Sequence, residues 1–537
     1  MMDQRRMLLA VLLSVGVVLL YNQFVVRPRQ QPQPVALDRV EETPTTVPSA
    51  TAPPEAPGPH ASPRDIGYLS FEVDSQPLVV VETDVWRATI APRGARLTSV
   101  ALKQFRQSVQ ADSPPLELIQ PGSLLPLTLA FDGGRSDAAI AYNPSSAALT
   151  LTGAENGEIV FSGATESGLQ VEKRLRFLGN SYLVGVDVRV TGPDTPKKAG
   201  LVMPELEREG LRTSGSNATE AAVSLSQGKL TETHIDATKI QELKTEERPD
   251  ARWVGLSVPF FVGAVVDPDD PPRATAVVER VGSRPTVRLE RPLADGRTEF
   301  KVFLGPKAKE VLAEANYDLS RLLDFGWFWF IAIPMLYALR LLHTVTGNYG
   351  VDIILLTALV RIATIPLTQK SFKSMREMQK IQPQLKRVQE QYKDDQAKLQ
   401  KEMMELYKSH GVNPFSGCAP MVLQIPIFVG LYNALLHAIE LRHAPFALWI
   451  TDLSSPERLM VAGVGIPVMT LLMGGTMLVQ QWLTPQQGDP TQRQMMMIMP
   501  VVFTFMFFNF PSGLVLYWLV SNLLGIAQQY LMLRTPK

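Results

Sequence analysis

The amino-acid sequence predicts an α-helical polytopic membrane protein, with six transmembrane helices of which five form the core, joined to a large antiparallel β-sandwich domain. Three observations carry this expectation. Residues 64 to 312 read as a water-soluble segment, whereas most of 325 to 533 is strongly apolar. Within the first region, apolar and polar side chains alternate with a period of two. The second region divides into apolar runs of membrane-spanning length separated by polar loops.

The 537 residues leave room for about two or three compact units. The 52 Lys and Arg balance 52 Asp and Glu, so net charge points to no polyanionic partner and no nucleic-acid specificity. The lone cysteine, Cys418, excludes an internal disulfide.

Met7 to Val26 is apolar and long enough to cross a bilayer, and residues 1–27 form an N-terminal transmembrane anchor. A cleaved signal peptide is disfavoured, because Tyr21-Asn22-Gln23-Phe24 follows where a small-x-small site is needed. Residues 28–63 are rich in Pro, Thr, Ala and Gln and cannot bury enough surface to fold, so they form a disordered linker.

Residues 64–318 are expected to be the β-sandwich domain, closing on a C-terminal helix. Tyr182, Val184, Val186, Val188 and Val190 share one face, with Asp187 and Arg189 opposite. Val171, Lys173, Leu175 and Phe177 repeat the pattern against Glu172, Arg174 and Arg176.

Residues 319–348 contain an apolar stretch, Phe325 to Leu342, with Trp327, Phe328, Trp329 and Phe330 clustered near its start. Such aromatics suit the headgroup region, so a helix lying on the membrane is one reading and a span the other. The core occupies 349–534, with spans at 349–369, 418–437, 461–482, 495–510 and 513–531. Met495 to Ala527 is too long for one crossing at 1.5 Å per residue, and Phe510-Pro511-Ser512-Gly513 supplies a turn in its middle.

Residues 370–413 hold ten Lys and Arg, which places this segment in the cytoplasm. With Phe325 to Leu342 at the membrane surface, the β-domain is then periplasmic and both termini cytoplasmic; one more span there would reverse this. Met375, Met378, Ile381, Leu385, Val388 and Tyr392 form one helical stripe. Asp394-Asp395 interrupts it before Leu399, Met403 and Leu406, which predicts a helical hairpin, either a docking platform or a plain connector.

Arg361 is the residue with most to say about mechanism. It lies about 18 Å along its helix from Tyr349 and about 13 Å from Lys370. A guanidinium at the bilayer midplane costs about 2.5 to 3.5 kcal/mol on the insertion scale, and the other spans offer no Asp or Glu in their cores. The residue is expected to face a polar, wet cavity; the alternative is a structural Arg satisfied by backbone carbonyls. Thr357, Thr364 and Thr368 lie on the same side of the helix, and Gln424, Thr470, Ser521 and Asn522 on other spans could line the same cavity. Met469, Met473 and Met477 form a flexible apolar stripe, suited to varied partners or simply to packing.

No Gly-x-x-x-x-Gly-Lys-Ser/Thr loop and no His-Glu-x-x-His pattern occurs, so neither nucleotide hydrolysis nor a zinc site is expected, and no cofactor. A small-molecule transporter could use an intramembrane Arg, but broken spans in inverted repeats are missing. A tethered sugar enzyme would need a catalytic carboxylate pair in the β-domain, and none can be nominated.

Several stretches carry a family resemblance. They are Val360-Arg361 through Pro366-Leu367-Thr368, Asn413-Pro414 with Gly417-Cys418, and Gln424-Ile425-Pro426-Ile427-Phe428. Ala444-Pro445-Phe446-Ala447-Leu448-Trp449-Ile450 and Phe510 through Tyr517 with Ser521-Asn522 complete them. Over about 320 to 534 the chain closely resembles the bacterial YidC family of membrane protein insertases. The resemblance implies an inner-membrane insertase and chaperone without enzyme activity, working alone or with the Sec translocon. It implies a supersandwich β-domain, a surface helix over 319–348, and five core spans around a hydrophilic groove. Arg361 would draw client tails into that groove, with Thr357, Gln424, Tyr517, Trp518 and Ser521 contacting the client. Trp518 departs from the tyrosine common at its position. Implied partners are nascent membrane-protein clients, the lipid bilayer, Sec components, and the ribosome or the signal-recognition-particle receptor through the 370–413 hairpin. The tail ending Arg534-Thr535-Pro536-Lys537 lacks a long basic ribosome-binding extension.

Overall fold

Strand Leu183–Thr191 buries Val184, Val186, Val188 and Val190 and turns Asp187 and Arg189 away, as its alternation dictates. It pairs antiparallel with Gln170–Leu178 and with Arg297–Pro306, setting Val186 opposite Leu175 on one side and Phe300 on the other. The computed structural model describes residues 77–534 apart from 111, 120–124, 166, 205, 207–220, 236–242, 282–283, 393–394, 412–418 and 484–489. The expected anchor at 1–27, the linker at 28–63, Asn413-Pro414, Gly417-Cys418 and the last three residues therefore lie outside the described residues.

The β-domain is built from a five-stranded and a thirteen-stranded sheet. Val79–Glu82 pairs in parallel with Ala148–Thr150, an exception to the antiparallel expectation; the other strand pairings among the described residues are antiparallel. The core between the layers is dominated by large side chains, among them Trp86, Phe161, Trp253, Phe300 and Phe303, all fully buried. Each contributes about 1.5 to 3 kcal/mol by leaving water.

Lys173 sits on the inward face that the period-two pattern assigns it, and it is wholly buried. Its ammonium is 2.6 Å from Asp137 and donates to the carbonyls of Gly94 and Leu127 at 2.6 Å each. Asp137 also accepts from the Tyr142 hydroxyl at 3.0 Å and the Leu129 amide at 2.8 Å. The pair is thus dry but fully bonded, the condition under which a buried ion pair is tolerated.

Lys307, next after the last sandwich strand, is also buried and donates to the Ser257 hydroxyl at 3.0 Å. Burial pushes its ammonium down to about 8. The unfolded chain then binds more protons than the folded one between about 8 and 10.4, so this group makes stability rise with pH across that window. We expect Lys307→Met to flatten the pH 8 to 10 part of a thermal-stability profile relative to wild type. Superimposable profiles would show that Lys307 is hydrated.

Helix α1 (Lys309–Ala315) follows and packs Leu312 into the β core. Helices α2 (Trp329–Thr346), α3 (Tyr349–Gln391), α4 (Gln396–Ser409), α5 (Ala419–His437), α6 (Val468–Leu483), α7 (Pro490–Met506) and α8 (Ser512–Arg534) complete the chain. Segments Trp329–Thr346, Tyr349–Met378 and Ser512–Leu531 are each long and apolar enough to cross a membrane, and Val468–Leu483 and Met497–Asn509 are shorter apolar helices.

Although α2 has the length of a span, its contacts run along one end of the bundle. Its entry is tied to the end of α5, with the Phe325 carbonyl accepting from Asn433 and that of Asp324 facing His437. Ile331 packs on Gly430. Further along, Arg340 bridges Glu310 of α1 and Glu440, and His343 bonds Asp352 in the first turn of α3. Both ends of α2 thus meet the β-domain end of the bundle, so the helix lies across that end and exposes Trp329, Phe330, Tyr337, Leu341 and Val345.

The segment expected to span from 461 begins differently. Leu459–Val461 and Val464–Ile466 form a small antiparallel hairpin, and α6 starts only at Val468, after Pro467. Ala462 and Gly463 both have positive φ, the backbone of a two-residue hairpin turn, and a proline at the helix start cannot extend it backwards. Glu457 caps α6 instead, accepting from the amides of Met469 and Thr470 and from the Trp449 indole. At the other end, α3 continues without interruption past residue 369. Met378 and Ile381 are buried against Tyr407 of α4, so the first arm of the hairpin is an extension of the preceding apolar helix.

Candidate intramembrane groove

Helices α3 and α8 bring Arg361 and Ser521 together. The Arg361 Nε donates to Ser521 Oγ at 3.1 Å and Nη2 donates to the same oxygen at 2.7 Å. Among the described residues Arg361 forms no ion pair, and its side chain remains partly exposed. A guanidinium carries five N–H donors in a rigid fork, and one hydroxyl engages only two of them. The remaining donors need water or a client group, because an unsatisfied charge in hydrocarbon is costly.

A polar row extends from this contact along α8. One turn before Ser521, the buried Tyr517 hydroxyl accepts from Gln424 Nε2 of α5 at 2.6 Å. Asn522 donates to Thr476 of α6 at 3.2 Å. Gly525 permits a close approach: a Cβ there would lie 3.0 Å from Gln480 Nε2 and 3.5 Å from Arg361 Nη2. Gln528 donates to Thr368 of α3 at 3.2 Å, and Thr364 donates to the Arg361 carbonyl. Tyr517, Ser521, Gly525 and Gln528 recur every three or four residues, so they occupy one face of α8. Thr476, Gln480, Gly525 and Gln528 escaped the sequence reading, although that spacing was available to find the α8 members.

The remaining expected residues are placed elsewhere. Thr357, one turn from Arg361, is buried and donates to the Ile353 carbonyl at 2.6 Å, so its hydroxyl is spent on its own helix. Trp518 points from the neighbouring face of α8 into an aromatic cluster, 5.3 Å edge-to-face from Phe428 and 5.7 Å from Phe507. Its buried indole N–H has no protein partner among the described residues. Thr470 belongs to the capped first turn of α6 rather than to the polar row. Met469 and Met473 are buried in the helical core, and Met477 is packed against it.

Two family descriptions cover most of the chain: "YidC periplasmic domain" matches residues 78–338 and "60Kd inner membrane protein" matches 341–537. The membrane protein insertase YidC of Maridesulfovibrio salexigens is 35% identical over 556 aligned residues, with 100% of both chains covered. This chain belongs to the YidC family of membrane protein insertases. The YidC insertase of Pelobacter propionicus is likewise 35% identical, with 98% of each chain covered. Among solved structures, an active YidC insertase with its first transmembrane domain resolved aligns over 86% of this chain and 94% of that one, at 20% identity and a TM-score of 0.37. A galactose mutarotase-like protein from Lactobacillus casei aligns over 43% of this chain and 99% of that one, at 12% identity and a TM-score of 0.29. Membership in the YidC family makes this an inner-membrane protein whose β-sandwich is the periplasmic domain.

Proposed function

We propose that this YidC-family protein inserts clients through a hydrophilic groove centred on Arg361, without nucleotide hydrolysis or any other covalent step. The observation that carries the reading is a guanidinium deep in the apolar bundle whose only described protein acceptor is the Ser521 hydroxyl. Such a group keeps its surroundings wet. A wet pocket lowers the desolvation cost of a polar or acidic client tail on its way across. The apolar client span then partitions into lipid beside the groove, and burial of its side chains supplies the free energy, assisted by the membrane potential. Gln424 and Tyr517 extend the polar surface towards the periplasmic end, while Trp518 and its aromatic neighbours offer an apolar wall.

In this reading α2 lies in the periplasmic interface, the 370–413 hairpin is cytoplasmic, and both termini are cytoplasmic. The hairpin serves as the platform for Sec components, the ribosome or the signal-recognition-particle receptor. A shallow concavity of about 580 Å³ on α4, lined by Ala397, Gln400, Lys401, Met404, Glu405 and Lys408, supports docking there.

The test is purified full-length protein in liposomes, offered a single-span client with a short acidic translocated tail. Protease-protected client should accumulate well above the level in empty liposomes, and to the same extent without ATP or GTP. Equal insertion into empty liposomes would overturn the proposal.

A further inference from the structure

The periplasmic loop before α6 carries an apolar tip that the groove does not use. Leu459 pairs with Ile466, Met460 with Gly465 and Val461 with Val464, and the turn is Ala462-Gly463 with φ of 49° and 82°. From Leu459 through Pro467 no side chain carries a charge, a hydroxyl or an amide. Met460, Val461 and Val464 are 65%, 48% and 64% exposed. Turns that face water are built from Gly, Asn, Asp and Ser, and clustered exposed apolar side chains mark a contact surface.

We propose that this hairpin is a membrane-inserting element, its tip seated among the upper acyl chains of the outer leaflet beside α6. Three features select lipid as the occupant. The first is continuity: the Pro467 carbonyl accepts from the Leu471 amide, so the hairpin leads directly into α6, whose Leu471 and Leu472 are exposed apolar side chains at the same level. The second is polarity along the hairpin. Its base is charged and anchored, with Arg458 donating to the Phe508 carbonyl at 2.7 Å and Glu457 capping α6, whereas its tip is wholly apolar. That division matches the headgroup-to-hydrocarbon gradient. The third is backbone pairing across the hairpin, which lowers the cost of carrying peptide groups towards hydrocarbon. The inference rests on α6 being a membrane span, but not on the groove or on Arg361.

The test uses the full-length chain in liposomes with Cys418→Ser, which removes the one native cysteine. Met460→Cys or Val464→Cys is labelled with an environment-sensitive fluorophore, and Leu178→Cys on the β-domain serves as the aqueous reference. All three positions are exposed, so the label does not disturb a core. Labels at 460 and 464 should emit to the blue of the label at 178. They should be quenched several-fold more by lipids bearing a nitroxide near the top of the acyl chain, and several-fold less by iodide. Strong iodide quenching without nitroxide quenching would overturn the proposal by placing the hairpin in water. Protection from both quenchers would also overturn it, and recovery of iodide access on diluting the protein in lipid would identify a second copy as the occupant. Client insertion measured in the same liposomes separates the two ideas: a hairpin found in water beside normal insertion removes this inference and leaves the groove standing.

Discussion

Arg361→Ala should slow insertion of a client with an acidic translocated tail by about tenfold or more, with a smaller loss for a client whose tail is uncharged. Tenfold corresponds to about 1.4 kcal/mol, roughly half of what a midplane charge is worth on the insertion scale. Arg361→Lys should retain part of the rate for the acidic tail, since it keeps the charge and loses the fork that spans Ser521 Oγ with two donors. Initial rates in liposomes, normalised to folded protein, decide the matter. An equal loss for charged and uncharged tails would assign Arg361 a structural role, because a packing defect does not distinguish them. No loss for any tail would remove Arg361 from the mechanism.

The second large effect is predicted in the periplasmic domain. Asp137→Ala leaves the wholly buried Lys173 without its carboxylate, and breaking a buried pair from one side costs about 3 to 5 kcal/mol. Two carbonyl acceptors remain for the ammonium, but neither carries a charge. The double variant Asp137→Leu with Lys173→Met removes both charges and should recover most of the loss. Chemical denaturation of the detergent-solubilised full chain, followed through the circular dichroism of the β-sheet, measures both. A loss below about 1 kcal/mol in Asp137→Ala would mean that water reaches Lys173 in the folded domain. Insertion in liposomes with the destabilised domain then reports whether a well-folded sandwich is needed for activity.

Much of the architecture was legible because it depends on local periodicity. The alternation around Val184 to Val190 placed the inner face of its strand, and it placed Lys173 inward as well. It could not supply Asp137, which lies on a different segment and reaches Lys173 only when the layers close. The same limit applied at 461. Hydropathy reads Val461 to Trp482 as one apolar run, while the turn at Ala462-Gly463 and the stop at Pro467 divide it into the end of a hairpin and a shorter helix. Apolar content records transfer free energy, and a lipid-facing helix and an exposed apolar hairpin score alike on it.

In the helical bundle, the depth of Arg361 followed from counting residues along one helix, and its need for a polar environment followed from the cost of its charge. Which hydroxyl meets it did not follow. Ser521, Asn522, Thr357 and Thr470 are all short polar side chains in apolar segments, yet only Ser521 bonds the guanidinium. Thr357 folds back on its own helix, Thr470 lies in a capped first turn, and Asn522 turns to Thr476.

By itself, then, the sequence determined the two-part architecture, the inward faces of the strands, the apolar helices and a charge too deep for ordinary solvation. Those are properties of composition and spacing along one segment. The tertiary structure alone decided that α2 runs across the end of the bundle, that Ser521 is the partner of Arg361, and that Gly525 lets Gln480 and Arg361 come close to the α8 backbone. Such facts depend on the rotation of each helix about its axis and its offset against its neighbours. Both are set by packing between residues far apart in the chain, which no local period encodes.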